Sequence, residues 1–182
     1  MLKAWVENNN IFLSEDETIA PSDAIEVPDG TQISDLKIEN GQIVLKTQQE
    51  KEQEQIIIEK ENLLREIFEL SNKFLSKYPE AESKGWQNKV EECKDIISTN
   101  SIDQNLHSII YSEIEALYGS IPTDFQIVID YCNSILEKEQ SFKIFSGKIA
   151  GLRKRIENSN DLNELQNIIP QLLTDLKDRY GL

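Results

Sequence analysis

The sequence predicts a mostly helical α+β protein, with a small N-terminal β module followed by a long helix and a helical bundle. Apolar residues recur at every second position in the first segment, whereas from about Gln48 onward they follow the helical period of about 3.6 residues. Glycine and proline are absent from residues 48–61, which favours an uninterrupted helix. We therefore predict three parts: a β-hairpin module at 1–47, an amphipathic helix or coiled-coil stalk at 48–78, and a helical bundle at 79–182.

The β module contains two clear turn signals. Residues 4–6 and 11–13 read as strands on either side of an asparagine turn at 8–10, because asparagine tolerates the left-handed backbone of tight turns. Residues 36–45 alternate apolar and polar side chains around Asn40-Gly41. That pair suits a type I′ turn, in which both central residues need a positive φ. We expect a hairpin at each place.

The segment between the two hairpins is rich in turn residues. It contains Pro21, Pro28 and an Asp29-Gly30 pair, and we assign no strand to it. A β module of this size buries little apolar surface by itself. We therefore expect the module to be marginally stable alone or to dock on a partner.

The long helix is expected to run to Tyr78, because Pro79 disfavours helical backbone at the residue before it. Residues on one face recur at spacings of three, four and seven, namely Ile57, Leu64, Phe68, Ser71 and Leu75, with Ile67 and Phe74 beside them. This pattern fits a coiled-coil seam between copies of the chain as well as a helix packed on its own bundle. Homo-oligomerisation through residues 48–78 therefore stays open.

Proline, glycine and asparagine divide the remaining sequence into helices. Pro79 opens the first, with acidic residues near the positive end of the helix dipole, and Gly119 ends the second. Gly147 and Gly151 mark a helix crossing or a turn. The predicted helices cover residues 79–97, 105–118, 124–146, 152–157 and 162–179.

The net charge of −14, from 33 acidic and 19 basic side chains, limits the partners of the chain. Nucleic acid and anionic membranes are disfavoured as partners, because both carry negative charge. No apolar run approaches the about 20 residues that span a bilayer. The start MLKAWVENNN lacks the pattern of a secretory signal, so we expect a soluble, intracellular protein.

Residues with catalytic or ligand-binding chemistry are sparse. The single histidine, His107, falls on a predicted helix, where we expect a surface or half-buried side chain. Cys93 and Cys132 form no CxxC motif, so we expect neither a disulfide nor a zinc site. The 7 glycines form no phosphate-binding motif. We predict no enzyme activity, no catalytic residues, no cofactor and no metal site.

One basic cluster interrupts the acidic sequence. Its members are Lys143, Lys148, Arg153, Lys154 and Arg155. We interpret it as a solvated face near a helix end, where cations offset the helix dipole. Contact with an acidic partner or with nucleic acid is the alternative interpretation.

Residues 77–93, KYPEAESKGWQNKVEEC, resemble a pattern in bacteriophage tail-fibre assembly proteins. In those proteins a Tyr-Pro pair and a Glu come before a Trp. A further Glu, next to a small residue, follows the Trp in the same order as here. Residues 135–157 look like the closing helices of that family, with an Ile-Leu helix, a glycine before a basic turn and a final isoleucine. The resemblance covers about residues 70–170, and a β part ahead of a helical tail fits the family's layout. Alanines common in the family's helices are replaced here by Ile, Ser, Cys and Lys.

The resemblance implies a chaperone that helps a trimeric tail fibre or receptor-binding fibre to fold, usually by holding its C-terminal tip. We assign docking to the β module, whose free edges can extend a sheet, and within it to Trp5, Phe12, Ile38, Ile43 and Leu45. Trp86 in the helical part is the alternative contact, because tryptophan anchors interfaces as well as cores. The expected location is the host cytoplasm, and retention on the virion tail stays open.

Two other functional classes stay open. The first is a structural component of the virion tail, held by a coiled coil at residues 48–78. The second is an acidic inhibitor that imitates nucleic acid and blocks a host defence protein. The negative charge is spread over both parts, −6 in residues 1–47 and −8 after them, and it forms no dense acidic stripe. This distribution argues against the inhibitor.

Overall fold

The computed structural model describes residues 1–16, 18–77 and 84–182. Within them the chain is mostly helical, with short antiparallel strands near its N-terminus, so the predicted α+β class is confirmed. None of the helices in these ranges combines the length and the apolar character needed to cross a membrane.

The described residues form two compact units. We call Met1–Glu59 the β unit and Lys60–Leu182 the helical unit. The predicted parts at 1–47, 48–78 and 79–182 follow the change from strand to helix, whereas the compact units divide inside the long helix. Each unit is therefore described by itself.

The β unit contains five strands in two antiparallel arrangements, namely β1 (Leu2–Glu7), β2 (Asn10–Ser14), β3 (Ile25–Val27), β4 (Leu36–Glu39) and β5 (Gln42–Leu45). The first three form a sheet in the order β2-β1-β3, and β4 and β5 form a separate hairpin. A short 3-10 helix, Ile33–Asp35, leads into β4.

Both predicted hairpin turns are confirmed. Asn8 and Asn9 connect β1 to β2 with φ angles of 50° and 65°. Asn40 and Gly41 connect β4 to β5 with φ angles of 51° and 79°. These left-handed conformations are the ones that asparagine and glycine adopt at little cost.

The strand β3 was not expected, because turn residues dominate the sequence around it. Its register sets Ile25 opposite Ala4 of β1, and the pairing covers three residues of each strand. Only Val27 of β3 is buried. A three-residue edge strand with one buried side chain leaves almost no periodic signal in a sequence.

A small core joins the sheet and the hairpin. Its buried residues are Leu2, Ala4, Val27 and Leu36, with Ile11, Leu13 and Ile43 packed against them. Alternation along β1 places Leu2 and Ala4 on the same face, which is the face that the hairpin covers. The other face of the sheet points away from this core.

Five α-helices lie within the described ranges, namely α1 (Gln48–Lys77), α2 (Lys84–Thr99), α3 (Ser108–Tyr118), α4 (Gln126–Asn158) and α5 (Ile169–Tyr180). A π-helical segment, Glu164–Ile168, directly precedes α5. The predicted helix start at Pro79 and the predicted end of the long helix at Tyr78 lie outside the described residues.

The buried face of α1 differs from the predicted face by one residue. Within the helical unit, the buried side chains of α1 are Leu63, Ile67, Leu70 and Phe74. From the face predicted by spacing, Ile57 and Phe68 are exposed by 56% and 58%, and the others are half-buried. Ile67 and Phe74, which were predicted to lie beside that face, are fully buried, so the helix packs through the edge of the predicted face and not through its centre.

The helix α4 is continuous through Gly147 and Gly151, so the predicted break there is wrong. Buried side chains on both sides of the glycines, Phe145 and Ile156, belong to the same helix. Packing of a long helix outweighs the roughly 1 kcal/mol cost of an interior glycine.

The helical unit has two packed regions. In the first, α2, α3 and α4 share a cluster of buried residues, namely Trp86, Val90, Cys93, Ile96, Ile110, Ile114, Val128, Cys132 and Ile135. In the second, Phe74 of α1 stacks on Phe145 of α4 with ring centroids 3.8 Å apart. Tyr180 of α5 meets both rings edge-on.

The two cysteines meet in the first packed region, although 39 positions separate them in the sequence. Both are buried free thiols, Cys93 on α2 and Cys132 on α4. The interaction with the Cys132 thiol, together with burial, raises the pKa of Cys93. The thiols thus contribute to core packing between the two helices.

Candidate protein-binding surface

Trp5 and Phe12 form a stacked aromatic pair on the outer face of the three-stranded sheet. Because Leu2 and Ala4 face the core, alternation directs Trp5 to the opposite face. The register sets Phe12 directly opposite Trp5, with ring centroids 5.7 Å apart and ring planes inclined by 17°. Phe12 keeps 40% of its surface exposed. The pair is a preformed apolar platform.

The strand β1 has neighbours on both sides only along its first half. β2 pairs with it from Lys3 to Glu7, whereas β3 pairs with it only from Leu2 to Ala4. Beyond Ala4, no strand among the described residues lies on the β3 side of β1. Open strand edges offer backbone groups with which an extended chain of another protein can pair.

A groove of about 600 Å³ lies beside this open edge, and we call it the edge groove. Its apolar side chains come from three strands: Trp5 and Val6 from β1, Ile25 from β3 and Ile43 from β5. Polar residues, including Asp23, complete the lining. The exposed lining of the groove is more polar than apolar, and the groove lies beside an unpaired backbone edge.

The other predicted docking residues lie on the hairpin. Ile43 lines the edge groove and also packs on the small core. Ile38 lies opposite Ile43 and is half-buried, and Leu45 lies opposite Leu36 with 48% of its surface exposed. All five predicted residues of the β module thus lie in one unit, but only Trp5 and Ile43 line the groove.

Two residues of the edge groove were not singled out from the sequence. Val6 ends the apolar run of β1, where it is 39% exposed. Ile25 belongs to the unexpected strand β3 and is 41% exposed. The alternation of Ile25 and Val27 around Glu26 is the one sequence signal that pointed to this strand.

The β unit leaves more large apolar side chains exposed than it buries. Among the described residues, its buried apolar side chains are Leu2, Ala4, Val27, Leu36 and Ile56. Its exposed ones are Met1, Val6, Phe12, Ile19, Ile25, Ile33, Leu45, Ile57 and Ile58. Of these, Val6 and Ile25 line the edge groove and Phe12 stacks on Trp5. The edge groove and the Trp5–Phe12 pair are therefore the places where exposed apolar side chains of the unit are grouped.

Charged contacts fix the hairpin to the first turns of α1. Lys37 of β4 pairs with Glu50 at 2.6 Å, and Lys51 pairs with Asp35 at 2.6 Å. The hydrogen bond from Lys37, together with bonds from Thr47, lowers the pKa of Glu50 to about 2. These contacts hold the hairpin, and with it Ile43, against the helix start.

Trp86 lies in the core of the helical unit, so we withdraw it as a partner contact. Only 6% of its surface is exposed, and its indole Nε1–H donates a hydrogen bond to Glu139 at 2.6 Å. Burial acts to raise the pKa of Glu139, but hydrogen bonds from Lys143 and Trp86 outweigh it and hold that pKa below its usual range. The indole thus satisfies a buried carboxylate.

His107 is buried and lies just before α3, which corrects the expectation of a surface or half-buried helix residue. Its Nδ1 accepts the backbone N–H of Asp103 at 3.0 Å, and its Nε2 lies 2.8 Å from a carboxylate oxygen of Asp95. Both ring nitrogens therefore order the loop before α3. Across residues 1–16, 18–77 and 84–182, no group of three or more potential ligand side chains is arranged to hold a metal ion.

Comparison of the chain with known proteins found no match. No family model matches it, and neither a curated protein nor a solved structure matches it.

Proposed function

We propose that this chain is an assembly chaperone that holds another protein through the edge groove and the Trp5–Phe12 pair of its β unit. The observation that carries the proposal is the surplus of exposed over buried apolar side chains in that unit. Its class of partner, a phage tail fibre or receptor-binding fibre, rests on the resemblance of residues 77–93 and on the order of β part and helical part.

The physical rationale lies in the folding of trimeric fibres. Before the three chains assemble, each exposes strand edges and apolar surface, which promote aggregation. A chaperone strand edge can pair with such an exposed strand, while apolar side chains enter the groove beside it. The net charge of −14 keeps the complex in solution by electrostatic repulsion between particles.

The experiment that tests this function is co-expression with the fibre protein encoded beside this chain. We expect the fibre to be recovered as a soluble trimer with this chain present and mostly as aggregate without it. Equal yields of trimer in both cases would contradict the proposal.

Two matched variants test whether the fibre protein contacts the edge groove. Val6→Lys introduces a charge at the edge groove, and Ile19→Lys introduces the same charge at an exposed position that does not line the groove. We expect Val6→Lys to lower the yield of soluble fibre to the level without chaperone and Ile19→Lys to leave it unchanged. Equal behaviour of the two variants would remove the edge groove from the proposal.

Further measurements on the same proteins distinguish a chaperone from the other two functional classes. A structural tail component would be present at fixed stoichiometry in purified virions and would not change the fibre yield. An inhibitor that imitates nucleic acid would bind a nuclease complex in competition with DNA. The proposal expects a complex with the fibre that DNA does not displace.

A further inference from the structure

A second apolar surface lies within the helical unit, between α1 and α4. Phe74 and Phe145 are buried at its base, with stacked rings. Leu75, Phe142 and Ile149 line it as half-buried side chains. We call this surface the α1–α4 groove. Its volume is about 700 Å³, within the range of about 300–1,000 Å³ typical of binding pockets.

The surface stripe of α1 continues the groove along the helix. Leu64, Phe68, Ser71 and Leu75 recur at helical spacing, and the last two line the groove itself. Phe68 is 58% exposed. The stripe is about 16 Å long, because a helix rises by about 1.5 Å per residue. Leu64, Ser71 and Leu75 are half-buried, so the stripe spans three helical turns with Phe68 as its exposed member.

The α1–α4 groove runs along two antiparallel helices. It has an aromatic end and a basic end. Lys60 near the start of the stripe donates a hydrogen bond to the Glu157 carbonyl at 3.1 Å. Phe74 near its other end meets Phe142, with ring centroids 6.2 Å apart. Arg153 lines the groove one helical turn before Glu157 and marks the basic end.

Some of the basic side chains near that end form no ion pair among the described residues. Residues 143–155 contain five basic side chains and no acidic one. Lys143 pairs with Glu139, and Arg155 pairs with Glu164. Among the described residues, Lys148, Arg153 and Lys154 have no carboxylate within ion-pair distance, and Arg153 and Lys154 line the groove. Among the described residues that line the groove, Glu157 is the one acidic side chain against Arg153 and Lys154, so this part of the lining carries a net positive charge.

We infer that the α1–α4 groove binds an amphipathic helix of a partner protein, with apolar side chains at i, i+3 or i+4 and i+7 and carboxylates at the end beside Arg153 and Lys154. The length of the stripe matches about three helical turns, the usual contact length of a helix in a groove. Unpaired cations on a chain of net charge −14 complement an acidic segment. The inference stands apart from the proposed function, since it uses no residue of the β unit.

Peptide display against the full chain tests the inference. The probe is a library of 16-residue helical peptides in which two of every three positions are randomised. We expect the selected peptides to be enriched in Glu and Asp at one end and in Leu, Phe and Trp at helical spacing. Selection of basic or purely polar peptides would overturn the inference.

Charge-reversal variants locate the binding site. We expect Arg153→Glu/Lys154→Glu to weaken binding of the selected peptides by about tenfold or more, and Phe68→Glu to do the same. The matched control is Lys94→Glu/Lys138→Glu, an equal charge change at exposed lysines outside the groove, which should leave affinity unchanged. Equal affinity for the groove variant and the control would overturn the inference.

Two further measurements complete the test. The first distinguishes a peptide from nucleic acid as the occupant, and the second distinguishes the α1–α4 groove from the edge groove. A fluorescent 20-mer of single-stranded DNA should not bind, and DNA binding that Arg153→Glu/Lys154→Glu abolishes would replace the peptide with nucleic acid as the occupant. Val6→Lys should leave peptide affinity unchanged. If that variant abolishes fibre rescue while peptides still bind, the two surfaces are independent, and a failure of either proposal leaves the other intact.

Discussion

The two compact units differ in how many of their apolar side chains are buried and how many are exposed. Among the described residues, the helical unit buries 19 apolar side chains and exposes six large ones, whereas the β unit buries five and exposes nine. The helical unit thus has the composition of a self-sufficient core. The β unit has only a small core and leaves most of its large apolar side chains at least partly exposed. The two units therefore differ in how completely each one buries its own apolar side chains.

The units also differ in the contacts that hold them. Stacked and edge-on aromatic rings and a buried indole–carboxylate bond stabilise the helical unit. The β unit relies on a small core and on exposed ion pairs and capping bonds at the start of α1. Exposed ion pairs contribute only about 0–1 kcal/mol each. We therefore expect the two units to respond differently to substitution.

The largest expected effect is that of Phe74→Ala in the helical unit. Phe74 is fully buried between Phe145 and Tyr180, so its removal leaves a cavity and costs about 3–5 kcal/mol of unfolding free energy. Urea unfolding followed by Trp86 fluorescence in a Trp5→Phe background measures this loss. A loss below about 1 kcal/mol would contradict the assigned packing.

The reciprocal control is Leu36→Ala in the β unit. Leu36 is 3% exposed but belongs to a core of four buried residues, and we expect a cost near the lower end of about 2–5 kcal/mol. Trp5 fluorescence in a Trp86→Phe background should report this loss. If both variants shift both signals equally, the comparison between the units fails.

Trp86→Phe should destabilise the helical unit by about 1–3 kcal/mol. The ring volume is largely kept, but the buried Glu139 carboxylate loses the indole N–H that it accepts at 2.6 Å. Chemical denaturation followed by circular dichroism measures the effect. The matched control is Trp5→Phe, for which we expect a change within about 0.5 kcal/mol because the ring is half-exposed and makes no such bond. A larger loss for Trp5→Phe than for Trp86→Phe would reverse the assignment of the two indoles.

The sequence predicts the local elements of this fold well, because their causes are local. The two asparagine-containing turns, the start of α1 after Thr47 and the end of α3 at Gly119 all follow from backbone preferences of single residues. The short strand β3 escapes prediction because it depends on pairing with β1 across the intervening loop.

The buried face of α1 illustrates what local patterns leave undecided. Apolar residues come in adjacent pairs, among them Leu63-Leu64 and Ile67-Phe68. Each pair supplies one residue to each of two neighbouring faces, so both faces have the same helical periodicity. Tertiary packing buries Leu63 and Ile67 and leaves Phe68 exposed. The same ambiguity conceals the α1–α4 groove, since its wall has the sequence pattern of a packing face.

Thr47→Ala should destabilise the start of α1 by about 1 kcal/mol. The Thr47 hydroxyl accepts the Glu50 N–H at 3.2 Å, and the Glu50 carboxylate accepts the Thr47 N–H at 2.8 Å, which together form a capping box. Hydrogen exchange of the first-turn amides of α1 measures the loss. Replacement by serine, which keeps the hydroxyl, should restore protection, and no difference between alanine and serine would exclude a capping role.

Acid should remove the contribution of Glu50 to the β unit. Its pKa lies at about 2 in the folded chain against an ordinary value of 4.5, so the ionised form stabilises the fold above about pH 4.5. This stabilisation falls as the pH drops toward 2 and is lost below it. We expect Glu50→Gln to be less stable than the wild type at pH 7 and equally stable at about pH 2. A difference between the two that is independent of pH would contradict the ion pair with Lys37.

Gly151→Ala should stabilise the helical unit by about 0.5–1 kcal/mol. Gly151 lies inside α4, and a Cβ added there meets no atom within 4 Å. Gly119→Ala is the matched control with the opposite sign, because Gly119 ends α3 with a φ of +77° that alanine adopts only with strain. Thermal unfolding followed by Trp86 fluorescence should show a higher midpoint for the first and a lower one for the second. Destabilisation by Gly151→Ala would mean that α4 does need a break at this glycine, as its sequence suggests.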